Sequence, residues 1–195
     1  MNKTDVILTT PRLWLRRFRT TDVEAYYSYM CLEQTARYEN FDPLTREEAQ
    51  EEVAERCAME NRLAVQVQTG QDLLGENVSM IGDVGYEELP FDTYIFSYDF
   101  HVDYGKNGYA AEAVDALVDY LFRAKNARRL YAECSDKNQG SIKLLERLGF
   151  RREGCHWEDI SYKEDENGAP IFQNTLFYAM LRREYAAKTA KNPMK

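Results

Sequence analysis

No run of about eighteen apolar residues occurs in this 195-residue chain, so a membrane-spanning helix is not expected. The opening Met1-Asn2-Lys3-Thr4-Asp5-Val6-Ile7-Leu8 lacks the apolar core of a signal peptide, and a cytoplasmic location is the expectation. Cysteine is scarce and scattered. Cys31, Cys57, Cys134 and Cys155 include no CxxC pair, which points to reduced, mostly buried thiols and away from a zinc site or a disulfide frame. Positive charge is in deficit: 25 Lys and Arg against 33 Asp and Glu give a net charge of −8. Nucleic acid and anionic membranes are therefore poor partners, because neutralising phosphate needs a basic face. A cationic acceptor such as an amine is compatible with that balance. Neither a GxxxxGK[ST] phosphate loop nor a GxGxxG fingerprint is present. Internal repeats and long linkers are absent too.

With 44% hydrophobic and 30% charged residues the composition is globular. The length suits one domain over residues 1–185, followed by a basic tail, 186–195, expected to be disordered. The centre of the chain is a β-branched and aromatic run from Thr93 to Val102, a loop holding Gly105 and Gly108, and a helical pattern. Ala110, Ala113, Val114, Leu117, Val118, Leu121 and Phe122 recur with the spacing of one buried stripe, whereas Glu112, Asp115, Asp119 and Arg123 fall off it and should face water. The first turn of a helix leaves backbone N–H groups without partners, and its dipole adds positive charge there. Glycines ahead of such a turn allow the backbone to close around an anion. The loop is thus either a pyrophosphate cradle or an ordinary strand-to-helix turn.

Around this centre, Thr10-Pro11-Arg12-Leu13-Trp14-Leu15-Arg16 alternates as a half-buried edge strand would. Thr20 or Thr21 opens a helix running to Met30, and Thr45 with Glu48 forms a capping box ahead of another whose acidic face is solvated. Leu63–Val67 and Val78–Tyr86 read as strands, the first closed by Gly70-Gln71-Asp72, and Leu89-Pro90-Phe91-Asp92 turns the chain into the central strand. Beyond the central helix come a strand, Arg128 to Cys134, joined by a parallel crossover, and a short helix from Asn138 to Gly149. A strand from Phe150 to about His156, a polar loop at Asp165–Pro170 and a last strand, Asn174 to Leu181, complete a mixed α/β sheet.

The segment Gly105-Lys106-Asn107-Gly108-Tyr109-Ala110 resembles the acetyl-CoA-binding motif of the GCN5-related N-acetyltransferases, Q/R-x-x-G-x-G/A, with Gly105 at the position where Gln or Arg is usual. Thr10-Pro11-Arg12-Leu13, Gly108-Tyr109-Ala110-Ala111-Glu112-Ala113, the stretch from Asn138 through Ser141-Ile142 to Leu148-Gly149-Phe150, and Tyr178-Ala179-Met180-Leu181-Arg182 resemble the RimJ/RimL branch of that family, in the same order. The resemblance implies a mostly antiparallel central sheet of about seven strands flanked by helices, splayed between the fourth and fifth strands. It also implies acetyl-CoA as co-substrate, without a metal, and transfer of the acetyl group to a primary amine, either a protein N-terminus or a small molecule. Homodimers are a habit of the family.

The resemblance carries site residues with it. Backbone N–H groups around Phe100, His101 and Val102 are similar to the family's donor to the thioester carbonyl, and Gly105, Lys106, Asn107, Gly108, Tyr109 and Ala110 to its cofactor loop. Asn138 stands where the family binds pantetheine, although Asn is equally suited to capping a helix. Ser141 stands near the family's acid for the leaving thiolate. A general base must reach the amine directly or through one water. Ile95 occupies the position where many relatives carry Glu, which leaves Asp99 and His101, on one face of the strand, and Glu87 as candidates. Cys134 is read as a buried strand cysteine in preference to a nucleophile. Residues 21 to 45 and the late loop at His156 and Trp157 are expected to shape the acceptor pocket. Ile95 and Gly105 also allow an alternative, a catalytically weak acyl-CoA-binding or regulatory domain.

Overall fold

The computed structural model describes residues 5–39, 41–68 and 80–191. Eight strands, β1 (Val6–Thr9), β2 (Leu13–Arg16), β3 (Arg62–Val67), β4 (Gly82–Leu89), β5 (Thr93–Phe100), β6 (Arg129–Ser135), β7 (Arg151–Glu164) and β8 (Pro170–Leu181), lie in one mixed sheet in the order β1-β2-β3-β4-β5-β6-β8-β7. Six helices among the described residues accompany them: α1 (Val23–Met30), α2 (Glu33–Ala36), α3 (Arg46–Ala58), α4 (Tyr109–Arg123), α5 (Gln139–Arg147) and α6 (Arg182–Lys191). By its contacts the chain falls into two units, Met1–Tyr86 with Ser97–Leu117 and Glu87–Phe96 with Val118–Lys195. Strands β4 and β5 and helix α4 pass from one to the other.

In the first unit β2 pairs with both β1 and β3, so it is an inner strand, not the edge that its alternation suggests. Leu13 and Leu15 are fully buried, and Arg16 is buried with them. A charge there needs a partner. The guanidinium makes a two-pronged pair with Asp22, at 2.7 and 2.8 Å, and donates to Gln66 at 2.7 Å. Asp22 therefore points inward from the 3-10 turn Thr20–Asp22 that leads into α1. Thr45 caps α3 and forms the expected box with Glu48. Phe18, Tyr26, Tyr29 and Met30 pack with Ala49 and Val53 of α3 and with Ala64 and Met80.

Strand register decides which side chains meet in this unit. Ala64 of β3 lies opposite Asp83 of β4. The N–H of His101 donates to the carbonyl of Ile81 at 3.0 Å, which continues the β4–β5 hairpin past the end of β5. Counting inward from that pair, an antiparallel ladder sets Asp83 opposite Asp99 and Gly85 opposite Ser97. Arg62 confirms the count, since its side chain lies across Gly85 and donates to the Ser97 hydroxyl at 2.7 Å.

In the second unit β5 pairs in parallel with β6 through Thr93↔Arg129, Tyr94↔Leu130 and Ile95↔Tyr131. That ladder ends at Ile95, although β5 runs on to Phe100 and β6 to Ser135. Because β1 precedes the strands expected from sequence, this junction falls between the fifth and sixth strands. The central stripe is buried as expected at Ala113, Val114, Leu117, Val118, Leu121 and Phe122. Strand β7 continues to Glu164 and β8 starts at Pro170, so His156 and Trp157 belong to a long irregular hairpin and not to a loop. Residues 186–191 complete α6 where a disordered tail was expected. Tyr185 anchors that helix by stacking on Phe122 with ring centroids 4.7 Å apart. The turn at Gly70-Gln71-Asp72, the strand start at Val78-Ser79 and residues 192–195 lie outside the described residues. No helix among the described residues is long and apolar enough to cross a membrane. None of the four cysteines, all among the described residues, is joined in a disulfide, and all four are half-buried.

Candidate active site

From β5 the chain enters a 3-10 turn, Val102–Tyr104, then the glycine loop and α4. Gly105 closes the turn by donating from its N–H to the Val102 carbonyl at 2.9 Å. Its φ is −58°, so no left-handed conformation is needed there; a Cβ at Gly105 would instead lie 2.8 Å from the Val102 carbonyl oxygen. The left-handed residues are Lys106, with φ 62°, and Gly108, with φ 80°. These reversals turn the chain into the first turn of α4, whose leading N–H groups lack helical partners. A loop of this form, leading into the first turn of a helix, offers main-chain donors to an anion without calling on a charged side chain.

The cradle is held from a distant part of the sequence. Glu112, expected to face water, is clamped by the Thr10 hydroxyl at 2.6 Å, the Arg12 N–H at 3.0 Å and the Arg12 Nε at 2.6 Å. Arg12 also donates to the Asn107 carbonyl at 3.0 Å and lies 4.6 Å over the Tyr109 ring. Burial raises the Glu112 carboxyl, but the hydrogen bonds from Thr10 and Arg12 outweigh it and hold the group below the usual range.

Upstream on the same strand, Asp99 and His101 share one face with Asp83 of β4. Asp83 is 1% exposed and accepts from the Tyr29 hydroxyl at 2.6 Å and from Arg56 Nη1 at 3.4 Å. Burial pushes the Tyr29 hydroxyl far up, with Asp83 adding to the effect. Asp99 is partly buried, and its carboxyl makes no hydrogen bond among the described residues. Burial first, then the charges of Asp83 and Glu39, push its carboxyl up to about 8 against the opposing pull of Arg56 and Arg62. Glu39 is itself raised by burial. The imidazole of His101 accepts from the Asp103 N–H at 3.2 Å and lies 6.4 Å from the Tyr29 ring.

The structure thus brings Asp99, Phe100, His101 and Val102 into one unit with Gly105 through Ala110. Glu87 does not join them: it stands exposed on β4, in the second unit. Asn138, also in the second unit, caps α5 by accepting from the Ser141 N–H at 3.1 Å. Ser141 is partly buried, and its hydroxyl makes no hydrogen bond among the described residues. Cys134 is half-buried on β6. Trp157 is 78% exposed, and His156 packs on Phe177 at 4.4 Å and faces Asp159 at 3.5 Å. Among the described residues no group of three or more His, Cys, Asp or Glu is placed to hold a metal ion.

Sequence reasoning missed Asp83, Tyr29, Glu39 and Arg12. For Asp83 a signal exists: a carboxylate inside the apolar, glycine-flanked stretch Ile81-Gly82-Asp83-Val84-Gly85 has to be buried with a partner.

Comparison with known proteins bears on this arrangement. The profile of the acetyltransferase (GNAT) domain family matches residues 12–151. A Bacillus subtilis (strain 168) protein named as uncharacterized N-acetyltransferase YnaD is 29% identical over 179 residues, spanning 91% of this chain and 98% of that protein. Among solved structures, a GNAT-family acetyltransferase from Bacillus anthracis superposes with a TM-score of 0.78 at 25% identity, covering 91% of this chain and 99% of the other. The ribosomal L7/L12 alpha-N-protein acetyltransferase RimL, solved with coenzyme A, shares the fold with a TM-score of 0.66 at 19% identity, over 91% of this chain and 98% of its own.

Proposed function

The chain belongs to the acetyltransferase (GNAT) domain family, and on that premise we propose that it transfers the acetyl group of acetyl-CoA directly to a primary amine, with Asp99 as general base. The observation that carries the reading is the position of Asp99. It lies on the strand that runs straight into the glycine cradle, and its carboxyl holds a proton affinity near neutrality. A base works best when its pKa lies close to the working pH.

Acetyl-CoA supplies an activated thioester; the backbone of Gly105 to Ala110 would hold its phosphates, and N–H groups near Phe100 to Val102 would polarise the thioester carbonyl. Positioning supplies most of the acceleration, since two reactants held in a near-attack pose gain about 7–11 kcal/mol. Asp99 takes the proton from the amine as the nitrogen–carbon bond forms and the carbon–sulfur bond breaks, and the departing thiolate takes up a proton from water. His101, beside Asp99 and Tyr29, borders the amine's approach.

Asp99 and Glu39, once ionised, would favour a cationic acceptor. Protein N-termini, polyamines, aminoglycosides and amino acids all satisfy that requirement; the name of RimL, which acts on ribosomal L7/L12, makes an N-terminal amine the acceptor to try first. The enzyme is placed in the cytoplasm in this reading. The test is release of free CoA thiol with acetyl-CoA and a panel of such amines. Turnover is expected with at least one of them, with kcat about 10²- to 10⁴-fold lower in Asp99→Asn. Absence of turnover across the panel despite CoA binding would favour the second reading, an acyl-CoA-binding regulatory domain, which Ile95 and Gly105 motivate.

A further inference from the structure

The chemistry assigned to Asp99 leaves Asp83 without a role, and its surroundings are unusual. It is a carboxylate on a central strand, 1% exposed, with a tyrosine hydroxyl and an arginine aimed at it. The His101 to Ile81 hydrogen bond fixes the register that sets it directly opposite Asp99. Opposed residues on one face of an antiparallel pair have their Cβ atoms about 4.5–5.5 Å apart, and like charges so placed repel. Two carboxylates sharing such a site do not both ionise readily, so they titrate as a pair.

We infer that Asp83 is a positioning residue for the proposed reaction: facing Asp99 across the strands, it makes the two carboxyls share one proton and keeps that proton on Asp99. This rests on the reading of Asp99 as the base. Both donors, Tyr29 and Arg56, serve Asp83, so a single negative charge is better placed there than on Asp99, whose carboxyl has no hydrogen bond among the described residues. Asp83 on β4 and Glu39 after α2 strengthen proton binding at Asp99; Arg56 on α3 and Arg62 on β3 weaken it. Tyr29 on α1 stays neutral and couples to both carboxyls, and His101 lies two residues along the same strand face. Of the two acids, Asp83 acts more strongly than Glu39 on Asp99. The consequence for catalysis is direct: burial already raises the Asp99 carboxyl, and Asp83 raises it further, toward the basicity that taking a proton from the attacking amine requires.

The experiment pairs a structural titration with a kinetic one on the full chain. Carbon-13 NMR of labelled aspartate carboxyls follows Asp99 in wild type, identified by its loss in Asp99→Asn, and in Asp83→Asn and Glu39→Gln. The expected midpoint lies near 8 in wild type. It should fall by about one pH unit or more in Asp83→Asn and by less in Glu39→Gln. The acidic limb of kcat/KM should move down with it while kcat at pH 8 drops. Asp83→Asn keeps an acceptor for Tyr29; Tyr29→Phe, which removes one donor from Asp83 and leaves its charge, is the second variant should the first fail to fold. In Tyr29→Phe the proton is less firmly directed to Asp99, and the same midpoint should fall, by less than in Asp83→Asn. An Asp99 midpoint unmoved in the variants that fold overturns the proposal. A midpoint that moves while the rate profile does not would leave the carboxyl pair standing and instead remove Asp99 as the base.

Discussion

Asp99 carries a cost that is measurable without any substrate. Burial and the charges of Asp83 and Glu39 push its folded carboxyl up to about 8, whereas an aspartate in an unfolded chain titrates at about 3.9. Between those values the folded protein holds a proton that the unfolded chain has released, so stability falls as pH rises through the window and the loss is complete above 8. Below about pH 4 both states are protonated and the penalty vanishes. Asp99→Asn should therefore melt higher than wild type at pH 8.5, by about 5 °C, with the difference closing toward pH 4, as followed by circular dichroism. Equal melting temperatures at both pH values would contradict the buried, charge-opposed setting of this residue. Higher stability in the same variant that loses activity is what a site strained for function produces. Asp99 was a candidate from sequence because period-2 spacing placed it beside His101. Its partner across the sheet was not legible, since Asp83 meets it only through a register fixed by a hydrogen bond between Ile81 and His101.

At the scale of elements, the glycine loop and α4 are the part best written in the sequence. The stripe from Ala113 to Phe122 is local, and so is the box between Thr45 and Glu48; both are buried or bonded as their spacing implies. The fastening of the loop is not local. Thr10 and Arg12 grip Glu112 from about one hundred positions away, and helical periodicity alone assigns Glu112 to solvent. The full length of the β7–β8 hairpin is hidden in the sequence for a similar reason: Glu158, Asp159 and Asn174 are poor strand formers, yet Glu158 donates its N–H to the Asn174 side chain and Asp159 accepts from the Thr175 N–H across the irregular stretch. Helix α6 looked like a tail by charge, but Tyr185 and the bond from Lys188 to the Leu148 carbonyl at 2.9 Å tie it down. Arg12→Ala tests the fastening. Losing the contact to the Asn107 carbonyl and the clamp on Glu112 should weaken acetyl-CoA binding about tenfold, equivalent to about 1.4 kcal/mol, in titration calorimetry. Turnover at saturating substrates should change less than about twofold, because Arg12 touches neither Asp99 nor its neighbours. A tenfold loss in turnover with unchanged affinity would place Arg12 in the chemistry instead.

For the whole molecule, net charge and composition narrowed the partners without locating any site. A surplus of eight negative charges is spread along the chain, and only the fold brings Asp99 under the influence of the charges of Asp83 and Glu39. The family relationship, in turn, supplies the reaction class, while the acceptor depends on the side chains peculiar to this protein. Acetyl-CoA binding in the cradle is the claim on which every later step depends. Its most direct test is a thermal-shift titration with acetyl-CoA, alongside dephospho-CoA, on wild type and Gly108→Val. Gly108 has φ 80°, a conformation closed to valine without strain, and Arg12 lies 3.4 Å from where its Cβ would stand. Ligand at 100 times its dissociation constant should add about 2.7 kcal/mol to the folded state of wild type. A saturable rise in melting temperature is expected with acetyl-CoA, a smaller one with dephospho-CoA, and none in folded Gly108→Val. No rise in wild type at millimolar acetyl-CoA, or an equal rise in the variant, would contradict binding in the cradle.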